Sequence, residues 1–290
     1  MFEKIYSPVD KVKLFPFDNL FAKRDDLIDP YISGNKWRKL KYLLIKAKAE
    51  NKTHLVTFGG AYSNHLVATA AAASRTGLKS TAFIRGEEVK NEMLFICSLF
   101  GMNLIFTDRE SYKDKPALFN KNFQDDKDAM YIAEGGASAE AILGCAEIID
   151  ELTDAHYDHI FCAAGTGTTA AGLLKGIKKN NLKTKLHVIP VLKNGFFIKE
   201  EILKYTPDSA QLLFHTDYHF GGYAKTTPEL LDFIKNFIHN TGLLIDPVYT
   251  AKMFYAITDL QKQNRIQKHE KILAIHTGGL LGIFGMKDKF

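Results

Sequence analysis

The sequence predicts an α/β fold of mostly parallel sheets flanked by helices, and three observations carry that prediction. Short β-rich runs alternate with helix-period runs from about residue 38 onward, the pattern of βα units around a parallel sheet. Four glycine-rich segments stand at strand or loop ends, and three of them open a helix, as ligand-binding loops do at the carboxyl edge of such sheets. With 290 residues, 46% of them hydrophobic and 24% charged, the chain can bury a real core in two modest domains or one large unit.

The first helix follows Trp37, where Leu40, Leu43, Leu44 and Ala47 recur at the i, i+3, i+4, i+7 spacing of one helical face. The strand His54 to Phe58, a glycine turn and an alanine-rich helix from Asn64 to Thr76 come next. Further strands are expected at Ser80 to Ile84, Asn103 to Thr107, His159 to Ala164, Leu186 to Pro190 and Lys271 to His276. Helices are expected at Asn91 to Phe100, Ala139 to Leu152, Thr169 to Lys179, Pro228 to Asn240 and Tyr249 to Gln263, each near a Gly, Ser, Thr, Asn or Pro start signal. The polar stretch Asp108 to Lys127 reads as a mobile helix.

The formal charge of +5 is spread along the chain. The densest basic stretch, Lys36 to Lys52, reads as a helix with a solvated lysine face, so nucleic-acid binding is disfavoured. The N-terminal segment lacks the apolar core of a signal peptide, and no apolar run approaches the roughly 20 residues that span a bilayer. A cytoplasmic location away from membranes is the expectation. Cys97, Cys145 and Cys162 form no CxxC pair and sit in apolar company, as buried reduced thiols do. His215 and His219 are four apart but at a strand end and loop, where that spacing does not align two ligands. A metal site is disfavoured.

Chemistry concentrates in the glycine-rich segments. AAGTGTTAAG follows an apolar strand and opens a helix, so Gly165 and Gly167 let backbone amides turn toward an anion at the positive helix end. No Gly-Lys-Ser/Thr follows, which disfavours a nucleotide P-loop. Gly165, Gly167 and Ala170 do fit G-x-G-x-x-A, but the region roughly 20 residues on lacks the carboxylate that would hold a ribose. In SGNKWRKL, Lys36 directly follows a Ser-Gly-Asn turn. A surface lysine is the plain reading; a lysine held near a phosphate cup can instead bond a cofactor aldehyde. In GGAYSNHL, Ser63, Asn64 and His65 open a helix, either as an ordinary cap or as ligands of a carboxylate and a phenolic oxygen.

Taken in order, these segments resemble the fold type II pyridoxal-phosphate (PLP) enzymes, in the group of 1-aminocyclopropane-1-carboxylate (ACC) deaminase and D-cysteine desulfhydrase. The likeness rests on Lys23, Arg24 and Asp25, then Ser33 to Leu40, Gly59 to His65, the Gly/Thr loop, Asp246 to Lys252 and His276 to Gly279. It implies a two-domain, tryptophan synthase β-like fold. Residues 1–38 and 150–290 would form the large PLP-binding domain and residues 39–149 a small inserted α/β domain, with PLP in the cleft. It also implies a homodimer.

By the same resemblance, Lys36 would hold the cofactor and move the substrate's α-proton. Asn64 would bond the phenolic oxygen, and the amides of Gly165, Thr166, Gly167, Thr168 and Thr169 the phosphate. Ser63 and His65 would meet the substrate carboxylate, with Asn64 also on the substrate side. Tyr249 would lie beside ring and substrate, and Thr250 or Thr277 would face the pyridine nitrogen. β-Elimination from D-cysteine or a related amino acid, to pyruvate, ammonia and sulfide, is the expected reaction; ACC deamination and non-catalytic PLP binding are its rivals. Thr168 stands where a third glycine is usual. The segment Glu134 to Gly144 keeps its Gly pair without the following Ser-Asn. The chain stops at Phe290 soon after His276 to Gly279, shorter than is typical of the group.

Overall fold

The computed structural model describes residues 5–14, 16–152, 156–208 and 210–290. The start of the N-terminal segment read above as leaderless, residues 1–4, lies outside them. Two sheets organise the chain. Strands β1 (Val9–Lys11) and β2 (Leu20–Lys23) form an antiparallel pair at the edge of the larger sheet. Helix α1 (Asn35–Ala49) then leads into β3 (His54–Gly59), α2 (Asn64–Arg75), β4 (Lys79–Arg85), α3 (Glu92–Leu99), β5 (Asn103–Thr107), α4 (Lys115–Phe123) and β6 (Ala129–Tyr131). These strands make a four-stranded sheet in the order β5-β4-β3-β6, parallel throughout.

Helix α5 (Ala139–Asp150) returns the chain to the first sheet. It is completed by β7 (His159–Ala164), α6 (Thr168–Lys179), β8 (Lys185–Pro190), α7 (Phe197–Leu203), β9 (Leu212–Phe214), α8 (Pro228–Thr241), α9 (Thr250–Lys262) and β10 (Ile272–Ile275). Its order is β1-β2-β10-β7-β8-β9, parallel beyond β1.

The period-two alternation of strand side chains divides the larger core into two layers. Phe161 and Ala163 of β7 pack with Leu230, Phe254 and Ile257 of α8 and α9. Ile160 and Cys162 face the other way, onto Ile142, Leu173 and Ile198 of α5, α6 and α7. The predicted stripe of α1, with Trp37, packs against Leu55 and the alanines of α2. All three cysteines are free and buried.

Each strand and helix expected from the sequence is present within a few residues, and the side chains of Asn91, Ser138 and Thr227 cap α3, α5 and α8. The polar stretch after Asp108 contains α4, capped by Asp114. Unforeseen were β1, β2, β6, β9 and α7, three to seven residues each, too short to show a period. Helix α1 begins at Asn35, before Trp37, which puts Lys36 in its first turn. Its expected solvated lysine face holds only farther along, because Arg38 and Lys39 are buried. Among the described residues no helix is long and apolar enough to cross a membrane.

Candidate active site

Parallel strands bring the loops after β3, β7 and β10 to the same edges of their sheets. The turn before α1 meets the turn after β10. Gly34 adopts φ +59°, and a Cβ there would lie 1.8 Å from the Thr277 carbonyl oxygen, so only glycine lets the chains approach. The Asn35 amide donates to that same carbonyl at 3.2 Å, and the Gly279 amide donates to Ser33 Oγ at 3.2 Å. Asn35 Nδ2 donates to Thr169 Oγ1 at 2.9 Å, tying the Lys36 turn to the loop after β7. Lys36 is therefore positioned from both sides, by contacts with the turn after β10 and by the Asn35 side chain on the loop after β7.

Lys36 is half-buried. Among the described residues its ammonium has no hydrogen-bond or ion-pair partner. Burial, and then the positive charge of Lys39, hold its pKa well below the ordinary lysine value. Lys39, one turn on, is 2% exposed, and its Nζ donates to the Gly135 carbonyl at 3.0 Å. Burial lowers its pKa as well. A Cβ on Gly135 would lie 3.3 Å from Thr166 Cγ2, so the Lys39 anchor borders the Gly165 to Thr169 loop.

That loop ends β7 and opens α6, with Gly167 at the N-cap in the left-handed region and no side chain capping the helix. The first amides of α6 thus remain available to an anion. Thr168 and Thr169 are buried while Thr166 is exposed, its hydroxyl 3.1 Å from that of Thr168. Tyr249 leans over the loop: a Cβ on Gly165 would lie 3.2 Å from its ring. Burial, and then the neighbouring Tyr223 phenol, push Tyr249 well above the ordinary tyrosine value. The two rings meet edge to face at 6.0 Å.

At the start of α2, Ser63 occupies the N-cap position but makes no side-chain cap bond. Its hydroxyl is thus not consumed by the ordinary role the sequence also allowed. Asn64 borders a crevice with Ser33 and Gly279. His65 is buried: its Nε2 lies 2.8 Å from Thr57 Oγ1, and its Nδ1 has no partner.

The structure thus brings together Lys36, Ser63, Asn64, His65, the Gly165 to Thr169 loop, Tyr249 and Thr277. Thr250 stands apart. It is fully buried, and its hydroxyl donates to Asp246 Oδ1 at 2.7 Å within a cap where Asp246 also accepts from the amides of Val248, Tyr249 and Thr250. Its one proton is spent there, whereas the Thr277 hydroxyl is uncommitted among the described residues. Lys39, Tyr223 and Thr57 were missed from sequence. Lys39 had a signal, its i+3 spacing from Lys36, as had Tyr223, in its following a glycine pair.

These residues fit PLP: an unpartnered, low-pKa lysine stands beside an uncapped helix start and a buried cation that suit an aldehyde and a phosphate dianion. The chain matches the pyridoxal-phosphate dependent enzyme family over residues 8–278. It is 34% identical over 292 residues to a putative ACC deaminase of Thermotoga maritima, covering 93% of this chain and 92% of that protein. It is 30% identical to the mitochondrial bifunctional D-cysteine desulfhydrase/ACC deaminase of Arabidopsis thaliana, covering 93% and 74%. A solved ACC deaminase homologue superposes with a TM-score of 0.86 at 29% identity, covering 100% of this chain and 94% of that one.

Proposed function

Because the chain belongs to the family of pyridoxal-phosphate dependent enzymes, we propose that it is a lyase acting on a small amino acid, releasing pyruvate, ammonia and sulfide from D-cysteine or a close β-substituted relative. When bound, the cofactor supplies an electron sink for the pair left behind by the departing α-proton. Lys36 would hold it through the ε-amine. Freed from that bond, Lys36 would serve as the base for the α-proton, since burial and then the charge of Lys39 disfavour its charged form. The α6 amides and Lys39 would hold the phosphate, and Asn64 the phenolic oxygen. Ser63, with the amides at the start of α2, holds the substrate carboxylate. Tyr249 stays protonated and can give its proton to a departing thiolate.

The observation that carries elimination over ring opening is the fate of the carboxylate nearest Tyr249. Both oxygens of Asp246 are committed to the α9 cap, and positions 250 and 277 offer only hydroxyls. A hydroxyl does not keep the pyridine nitrogen protonated, so a route that expels a good leaving group soon after proton loss is favoured over one that stores charge. The balance is cysteine plus water giving pyruvate, ammonia and hydrogen sulfide. ACC deamination is the second reading, favoured by what the Thermotoga and Arabidopsis relatives are called.

Steady-state assays decide between them. Sulfide and pyruvate should form from D-cysteine with little 2-oxobutyrate from ACC, and efficient 2-oxobutyrate formation would reverse the choice. Borohydride reduction of the PLP-loaded protein should label Lys36 alone, and Lys36→Ala should lose the label and activity while remaining folded. The reading includes a large domain of residues 1–38 and 150–290, a small one of 39–149, and a cytoplasmic homodimer. Phe95 and Leu99, exposed one turn apart on α3, support association.

A further inference from the structure

The segment Asp246 to Lys252 carries part of the family likeness, yet its last residue takes no part in the cofactor site. Lys252 is fully buried on α9, one turn beyond Tyr249. Among the described residues it makes no ion pair with a carboxylate. Its Nζ donates to the carbonyls of His219 and Gly222, each at 2.8 Å, and the Val191 carbonyl stands at 3.5 Å. Burial lowers its pKa to about 8, with Asp246 opposing, so the amine is charged at neutral pH. A wholly buried charge is costly to keep when its partners are backbone dipoles alone.

The turn that owns those carbonyls supplies the reason. It sets four residues at positive φ: Phe220 at +50°, Gly221 at +92°, Gly222 at +119° and Ala224 at +55°. Two of them are not glycine, so the turn persists only where its surroundings hold it. The Gly222 amide donates to the His219 carbonyl at 3.0 Å, and the Lys225 amide to the Gly222 carbonyl at 3.1 Å. Both carbonyls accept a second hydrogen bond from Lys252, which ties them to each other and to α9. Tyr223 lies in this turn, and its ring meets Tyr249 edge to face at 6.0 Å. One turn of α9 therefore sets both phenols, Tyr249 by its own backbone and Tyr223 through Lys252.

We propose that Lys252 is a positioning residue that acts as a tethered monovalent cation, drawing the His219 and Gly222 carbonyls together so that Tyr223 is held against Tyr249. Carbonyl oxygens gathered around a positive charge replace its hydration shell, and K⁺ asks for the same oxygens as an ammonium. Fixing the charge to the chain removes any need for a free ion. The proposal rests on the reading of Tyr249 as the proton donor, and Lys252 acts on that donor only through Tyr223.

Removing the ammonium and offering a free ion in its place tests this. In cofactor-free protein carrying ¹³Cζ-tyrosine, at pH 7 with tetramethylammonium as the salt cation, Lys252→Ala should displace the Tyr223 NMR resonance, and exchange for K⁺ should return it most of the way. Wild type should be indifferent to the exchange. With PLP and a competent substrate, the alanine variant should lose about tenfold in kcat with KM little changed, and K⁺ should restore it. Lys252→Gln keeps two N–H donors without the charge, and should show the same losses and gain nothing from K⁺. An unmoved Tyr223 resonance in Lys252→Ala, no response to K⁺, a raised KM at constant kcat, or a glutamine variant equal to wild type each overturns the proposal. Should the alanine variant fold only in K⁺, its melting temperature becomes the readout, rising with K⁺ and not with tetramethylammonium; if it folds in neither salt, the glutamine variant decides. If wild type turns over no amino acid, the functional reading fails while the tyrosine resonances still judge Lys252.

Discussion

Two faces of the first turns of α1 treat buried positive charge in opposite ways. Arg38 is 1% exposed, and its guanidinium donates to both oxygens of Asp25, at 2.7 and 3.1 Å, and to Glu151. Lys23 joins Glu151 at 2.8 Å, and Ser7 Oγ donates to Asp25 at 2.6 Å. Burial alone would lower the Arg38 pKa, but Glu151 and Asp25 outweigh it and the net shift is upward. Lys36 and Lys39, on the cleft side, meet no carboxylate, and burial lowers them. Neighbouring residues of one helix thus carry either a permanent structural charge or an amine able to react, according to whether a carboxylate faces them. Lys23 and Asp25 belong to the segment that carried the family likeness, and their place in the structure is this anchor beneath Lys36.

The largest expected effect comes from breaking the paired side. Arg38→Met leaves Asp25 buried and uncompensated, and should cost about 3–5 kcal/mol in urea unfolding. The double variant Arg38→Met/Asp25→Leu should recover much of that loss, and equal stability of the single and double variants would deny the pairing its importance.

A third group shows burial without net charge, and acid should expose it. His159 Nδ1 lies 2.9 Å from His187 Nε2, and His187 Nδ1 lies 2.9 Å from His215 Nε2, across β7, β8 and the end of β9. Glu270 lies 3.4 Å from His159 Nε2, at the outer end of this row of rings. Burial, then the neighbouring His215 and His159, depress His187 to about 2; burial, then Arg265, depress His215 to about 4. A folded pKa below the unfolded value of about 6.5 means the unfolded chain takes up protons that the fold refuses. This stability is present above pH 6.5 and is lost as pH falls from there toward the folded values. For His187 alone the loss by pH 5 is about 2 kcal/mol. Urea melts at pH 7.5 and 5.0 should differ by at least that order, and the difference should shrink in His187→Phe, which keeps the stack on Phe161.

The smallest effect sharpens the unpaired side. In protein without cofactor, Lys36→Met should raise stability by roughly 1 kcal/mol at pH 7.5, because it removes an enclosed amine that nothing compensates. A loss of stability in a denaturant titration would mean that Lys36 has a structural partner.

Much of this was legible in residue order. The 3.6-residue stripe of α1, the caps at Asn91, Ser138 and Thr227, and the glycine turns at residues 34, 165 and 278 are local signals, because backbone geometry and one-turn spacing are properties of adjacent residues. They determined the α/β class and pointed to a PLP site, with Lys36 as its proposed centre. Tertiary structure alone decided the rest. Thr250 and Thr277 are equivalent in sequence, and only the fold shows that one donates to Asp246 while the other is uncommitted. The three histidines stand 28 residues apart along the chain, and parallel strand register is what stacks them. Whether Arg38 or Lys36 meets a carboxylate depends on Asp25 and Glu151 arriving from distant segments. Charge and hydrogen-bond partner are set by what burial brings near, and sequence spacing carries no record of that distance.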